Sequence, residues 1–139
     1  DTMWNATRKM AEAIARGIRS EDPMVTVRLH NAAKSDKNDI LTEVFQSKAI
    51  LVGSPTVNNG YLHSIGGLME MMKGLKFKNK SAAAFGSYGW SGEVIKQLKE
   101  ELEKGGFRIV NDGYRSLWVP DEEELSKCEE FGKEFIRQL

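Results

Sequence analysis

Three short stretches of this sequence gather hydroxyl, amide, glycine and aromatic residues in a density that core packing does not require. The first, TMWNAT (Thr2 to Thr7), runs straight into an amphipathic segment of helical period. Hydroxyls and backbone N–H groups therefore converge at a helix N-terminus, whose dipole favours an anion. This stretch contains no lysine, so an anion there would be held by neutral donors. The second, GSPTVNNGYL (Gly53 to Leu62), and the third, GSYGWSGE (Gly86 to Glu93), place glycines beside Tyr88 and Trp90. Glycine lets the backbone approach a flat group closely, and aromatic rings offer surfaces for stacking. Such chemistry suits a planar, phosphorylated ligand. Each stretch also has a plainer reading: Asn5 or Thr7 capping the helix, Asn59 and Gly60 making a turn, Trp90 packing on a neighbouring helix.

The intervening sequence indicates which elements must carry these stretches. Ala6, Met10, Ile14 and Ile18 recur at helical spacing, with Arg8, Lys9, Glu12, Arg16 and Arg19 on the other sides. In MVTVRLH, Val25, Val27 and Leu29 alternate with polar residues, the period of a half-exposed edge strand. Ser35 and Asp36 are capping candidates for a helix with the apolar stripe Ile40, Leu41, Val44 and Phe45. AILVGS is apolar without alternation, as in a strand covered on both faces. A helix through Leu62, Ile65, Leu68, Met69 and Met72, the small-residue strand SAAAFGS, and a helix through Val94, Ile95, Leu98 and Leu102 repeat the pattern. FRIV and SLWV form a last strand region, and the chain ends in a helix whose acidic first turn complements the helix dipole. Alternation of this kind predicts one α/β domain, a doubly wound parallel sheet. In such sheets ligands sit at the carboxyl ends of the strands, and the second and third stretches leave two successive strands there.

Composition narrows the chemistry further. The 139 residues suffice for one domain, and 20 Lys+Arg balance 20 Asp+Glu, so no net field steers the chain toward nucleic acid or anionic lipid. No apolar run approaches the ~20 residues of a membrane span, so a soluble, cytoplasmic protein is expected, with neither nucleic-acid nor membrane partners. The single cysteine, Cys128, cannot form an internal disulfide; it shares an apolar face with Leu125, Phe131 and Phe135 and reads as a buried structural thiol. Two isolated histidines, His30 and His63, make no metal site and are expected to face solvent. Gly86, Gly89 and Gly92 are spaced GxxGxxG, which is not the dinucleotide fingerprint; the P-loop pattern and the aspartate cluster of a receiver domain are also missing.

DTMWNATRKMAEAI, AILVGSPTVNNGYL, AAAFGSYGWSGE and WVPDEEEL together closely resemble the flavodoxin-like domain of flavodiiron proteins, a family of oxygen or nitric oxide reductases found in anaerobes. The likeness extends over essentially the whole chain. It implies FMN as cofactor, with Thr2, Met3, Trp4, Asn5, Ala6 and Thr7 around the 5′-phosphate. Pro55, Thr56, Val57, Asn58, Asn59 and Gly60 would line one side of the isoalloxazine, and Ser87, Tyr88, Gly89, Trp90 and Gly92 the other. It further implies an electron-transfer module fed by rubredoxin or a similar donor. The acceptor would be a diiron centre in a separate domain, met across a head-to-tail homodimer. This chain has no pattern for that centre, no catalytic acid, base or nucleophile is asked of it, and terminal O2 or NO reduction is not expected of it alone. The less favoured alternatives are a flavin-free docking or scaffold domain, a free-standing flavodoxin and a quinone reductase.

Two expectations carry forward. None of the three loops contains lysine or arginine, so a reduced, anionic flavin would find no counter-charge in them and the couple should be low in potential. A backbone carbonyl near Asn59 or Gly60 is expected to accept a hydrogen bond from the protonated N5 of partly reduced flavin. The resemblance also implies strand order 2-1-3-4-5, with a central first strand ahead of the phosphate loop. The sequence starts after that strand, so residues 1–139 are expected to be a flavodoxin-like domain excised from a larger protein, with the first strand either trimmed away or lying outside this sequence. Without it, strands two and three would lose their shared neighbour, leaving independent folding and flavin affinity in question.

Overall fold

The computed structural model describes residues 1–139. Its elements run α1 (Ala6–Glu21), α2 (Lys37–Gln46), β1 (Ala49–Gly53), α3 (His63–Leu75), β2 (Ser81–Tyr88), α4 (Val94–Lys104), β3 (Arg108–Ile109), β4 (Tyr114–Leu117) and α5 (Glu122–Arg137). All pairings in the sheet are parallel. β2 is the hub: β1 pairs along it from Ala49↔Ser81 to Gly53↔Phe85, while β3 and β4 pair with it in succession, at Ser81–Ala82 and at Phe85–Tyr88. The last strand region read from the sequence is therefore two short strands.

The composition of β2 explains why helices can cover both of its faces. Successive side chains of a strand point to opposite sides. Ala82 and Ala84 accordingly enter a core with Ile40, Leu41 and Val44 of α2, Ile65, Leu68, Met69 and Met72 of α3, and Val94, Ile95, Leu98 and Leu102 of α4. Ala83 and Phe85 enter the opposite core with Met10, Ala13, Ile14 and Ile18 of α1 and Cys128, Phe131 and Phe135 of α5. The three alanines are fully buried, and their small size lets helices approach from either side. α1 and α5 are in backbone contact: a Cβ on Gly17 would stand 2.0 Å from the Glu129 carbonyl oxygen, and one on Gly132 2.2 Å from that of Ile14.

The structure corrects two expectations. MVTVRLH is not a strand; it runs without ladder hydrogen bonds, although Val25 and Val27 pack on the α1/α5 core. A strand is completed by a neighbour's N–H and C=O groups, and β1 is paired on its β2 side only. Arg19 Nη2 instead donates to the Val27 carbonyl at 3.0 Å, and Arg28 pairs with Glu43 at 3.3 Å. Of the expected order 2-1-3-4-5, the ladder contains only the 3-4-5 run. Phe45, in the apolar stripe of α2, is 56% exposed, unlike Ile40, Leu41 and Val44, and meets Phe77 edge-on at a centroid distance of 4.8 Å. Asp36 caps α2 as expected, its carboxylate accepting from the Asn38 N–H at 2.7 Å. His30 and His63 are exposed.

Cys128 is fully buried, and burial pushes its thiol up to about 12. The thiolate is the nucleophile, so the native protein should resist a thiol reagent at neutral pH and react once denatured. Because the folded value lies above the unfolded one, the contribution of this group to stability is intact below the unfolded value. It declines as pH rises from about 8.5 to about 12. Thiol counting with and without denaturant checks the first statement, and alkaline melts of native and Cys128→Ala protein the second.

Candidate functional site

β1, β2 and β4 end on the same side of the sheet because they are parallel, and the loops leaving β1 and β2 meet the start of α1 there. Their contacts are specific. Thr7 at the start of α1 shares a 3.0 Å hydrogen bond with Ser87 between their buried hydroxyls. The Thr56 N–H donates to the Ser87 carbonyl at 2.8 Å. Ser91 Oγ donates to Asn59 Oδ1 at 3.4 Å, and Gln97 Nε2 of α4 donates to the Asn59 carbonyl at 2.6 Å. All three stretches read from the sequence are thus joined.

Their local conformations differ from the plainer readings. Neither Asn5 nor Thr7 caps α1: Asn5 is left-handed (φ 62°), Trp4 beside it is too (φ 57°), and no side chain bonds the helix N–H groups from the cap position. Thr2 Oγ1 accepts from the Arg8 N–H at 3.2 Å, folding Thr2 and Met3 back over the helix start. Ala6 and Thr7 are buried, whereas Trp4 is 85% exposed. This is a helix N-terminus with its dipole open and neutral donors around it.

In the second stretch, Asn58 and Asn59 both have positive φ (51° and 61°), and Val57 and Gly60 exchange backbone hydrogen bonds of 2.8 and 2.9 Å. This is a two-residue turn in which both central residues are left-handed, a conformation that asparagine tolerates. The turn reading is therefore correct as local structure, displaced by one residue to Asn58 and Asn59. The Gly60 carbonyl accepts from Val57 and the Asn59 carbonyl from Gln97, so each of the two carbonyls expected to serve N5 already has a donor. Ser54 is fully buried, and its hydroxyl bridges the Pro55 carbonyl and the Leu62 N–H, both at 2.9 Å.

In the third stretch, Trp90 does not pack on a helix. It is 94% exposed and meets Trp118 edge-on at 5.9 Å. Trp118 follows β4, is left-handed (φ 56°), donates its N–H to the Tyr88 carbonyl at 2.8 Å, and lies over Gly89, where a Cβ would come within 2.9 Å of its ring. Arg115 of β4 stacks its guanidinium over the Tyr88 ring at 5.4 Å, and Nη1 lies 2.8 Å from where a Gly92 Cβ would be. Trp118, Arg115 and Gln97 are site residues that lie outside the three stretches, whereas Ser54 and Ser91 lie within them but had no role assigned. The WVP motif hinted at the first, and β4 side chains beside β2 could be anticipated only from the pairing register.

One observation tests the site for a polar guest: Thr56 Oγ1 is buried and has no hydrogen-bond partner, a state shared with Ser116 Oγ of β4. Buried hydroxyls are ordinarily paired, and that of Thr56 lies in the loop that bonds Ser87. No group of acidic, histidine or cysteine side chains is placed to hold a metal, and no helix is long and apolar enough to cross a membrane.

Comparison with known proteins agrees with this geometry. The family described as Flavodoxin matches residues 1–132. The anaerobic nitric oxide reductase flavorubredoxin of Escherichia coli K12 is 50% identical over 138 residues, covering 99% of this chain and 29% of the flavorubredoxin. Rubredoxin oxygen:oxidoreductase from Desulfovibrio gigas superimposes with a TM-score of 0.90 at 36% identity, covering 97% of this chain and 33% of that one. A flavodoxin from the domain Archaea gives 0.86 at 28% identity and is covered to 93%. The chain thus spans under a third of the length of the curated relative it matches.

The fit of loop to strand at Gly86 supplies a test. A Cβ there would stand 2.1 Å from the Ser54 carbonyl oxygen, which is backbone. Gly86→Ala should cost about 1 to 3 kcal/mol or more by overpacking, visible as a lowered melting temperature, whereas Gly74→Ala, with nothing within 4 Å, should not.

Proposed function

This chain belongs to the flavodoxin family, as a domain of the flavodiiron type, and from that premise we propose that the three joined loops hold FMN. The observation that carries the assignment is the convergence through Ser87 of a helix N-terminus whose cap residue, Asn5, leaves the first N–H groups free of its side chain, a left-handed asparagine turn and an aromatic loop. Thr2, Met3, Trp4, Asn5, Ala6 and Thr7 would surround the 5′-phosphate with neutral donors and the positive end of α1. Pro55, Thr56, Val57, Asn58, Asn59 and Gly60 would form one wall of the isoalloxazine slot and Ser87, Tyr88, Gly89, Trp90 and Gly92 the other. The unpaired Thr56 hydroxyl would gain a polar partner there.

When bound, FMN supplies one- and two-electron transfer. The protein's residues orient it and shape its surroundings. Gln97 and Ser91 fix the Asn58–Asn59 turn, Trp118 supports Gly89 from behind, and Thr7 with Ser87 ties the phosphate end to the ring end. Exposed Trp90 leaves an apolar edge from which electrons can pass to a partner. In the whole protein we place the domain between a rubredoxin-like donor and a diiron centre carried by another domain, reached in the partner subunit of a head-to-tail homodimer in the cytoplasm. Terminal reduction of O2 or NO then belongs to that centre.

Titration of FMN with this polypeptide, following flavin fluorescence, should show stoichiometric quenching; a folded chain that leaves the fluorescence unchanged overturns the proposal in favour of a flavin-free docking domain. Thr56→Val separates binding from folding. Removing an unpaired buried hydroxyl should leave the ligand-free protein as stable or about 1 kcal/mol more stable, yet weaken FMN binding about fivefold. Thermal melts and the same fluorescence titration read the two effects.

A further inference from the structure

We propose that Arg115 is a potential-setting residue, its guanidinium delivered by β4 to Tyr88 and Gly92 as the counter-charge for the negative charge that FMN gains on full reduction. The inference rests on the assignment of those two residues to the flavin site. Oxidised isoalloxazine is neutral; taking up two electrons from a reductant and one proton from solvent leaves it with a net charge of −1. The three flavin loops contain no lysine or arginine to meet that charge. Arg115 lies outside them in sequence and beside them in space, because the pairing register sets it against Gly86 and its side chain reaches along the sheet edge to Tyr88 and Gly92.

Its charge is not spent elsewhere. Arg115 takes part in none of the chain's ion pairs. Its identified contact is the face of Tyr88, with Nη1 filling the space a Gly92 Cβ would take, and a guanidinium stacked on an aromatic ring is held in place without being neutralised. The carboxylate nearest in sequence to this contact, Glu93, forms no ion pair with Arg115. Arg115 is also exposed, so its influence is that of a partly screened charge. A cation so placed stabilises reduced flavin over oxidised flavin and raises the potential above what the neutral loops alone would give.

Spectroelectrochemical titration of the FMN-loaded protein, with dithionite as reductant, tests this. Arg115→Gln should lower the ratio of reduced-flavin to oxidised-flavin affinity about three- to tenfold, equivalent to ~30 to 60 mV for the one-electron step in which the charge appears. Arg115→Lys keeps the charge and should keep most of the potential. For the native protein the potential of that step should fall as salt rises, a measurement that needs no variant. Equal shifts in the Gln and Lys variants would assign Arg115 a packing role and overturn the inference, as would an unchanged ratio in Arg115→Gln. FMN binding by the native protein in those cases leaves the proposed function standing, whereas failure of the native protein to bind FMN removes both.

Discussion

The site depends on Ser87, near the end of β2. Its hydroxyl meets Thr7 at the start of α1, and its carbonyl takes the N–H of Thr56 in the loop after β1. Three segments far apart in sequence are joined at one residue. The geometry follows from the strand itself. β2 is the only strand with neighbours on both sides, and its small side chains admit helices to both faces. A loop fixed to its end is fixed relative to the whole domain. Preorganised loops lose less conformational entropy on binding a ligand, which is how a site made almost wholly of neutral groups can be selective.

Much of this was legible in the sequence, and the parts that were not share a cause. Helical stripes and buried strands report on the residues' own surroundings, so α1, α3, α4 and the run of alanines in β2 could be read directly. Val25 to Leu29 shows the limit: period-2 alternation gives a segment its two faces, but a strand also needs a neighbour to bond. Phe45 shows another, since an apolar residue at helical spacing is buried only if the facing helix reaches it.

The candidate site divides in the same way. The three loops were conspicuous because hydroxyls, amides and glycines gather there in a density that core packing does not require. Trp118 and Arg115 were not, because their positions depend on the register of β4 against β2, which no local pattern encodes. Gln97 reads as an ordinary polar residue of α4 until its amide is found bonding the Asn59 carbonyl. Residues that touch a ligand can be marked by unusual composition, whereas residues that hold or charge the site are marked only by what lies beside them.

That distinction bears on the electrostatics of the site. Judged by its loops, the slot is neutral and would resist a reduced, anionic flavin. With β4 in register, the same slot has a guanidinium against its aromatic wall. The two descriptions concern different positions. Neutral donors at the α1 end suit a phosphate whose charge is constant through the redox cycle, so they favour neither redox state. A cation near Tyr88 and Gly92 acts where charge changes, and only an interaction that differs between two states can shift the balance between them. Supplying it from a neighbouring strand leaves the loops free to be shaped by glycine and asparagine turns, with the potential set by a side chain that contributes nothing to those turns.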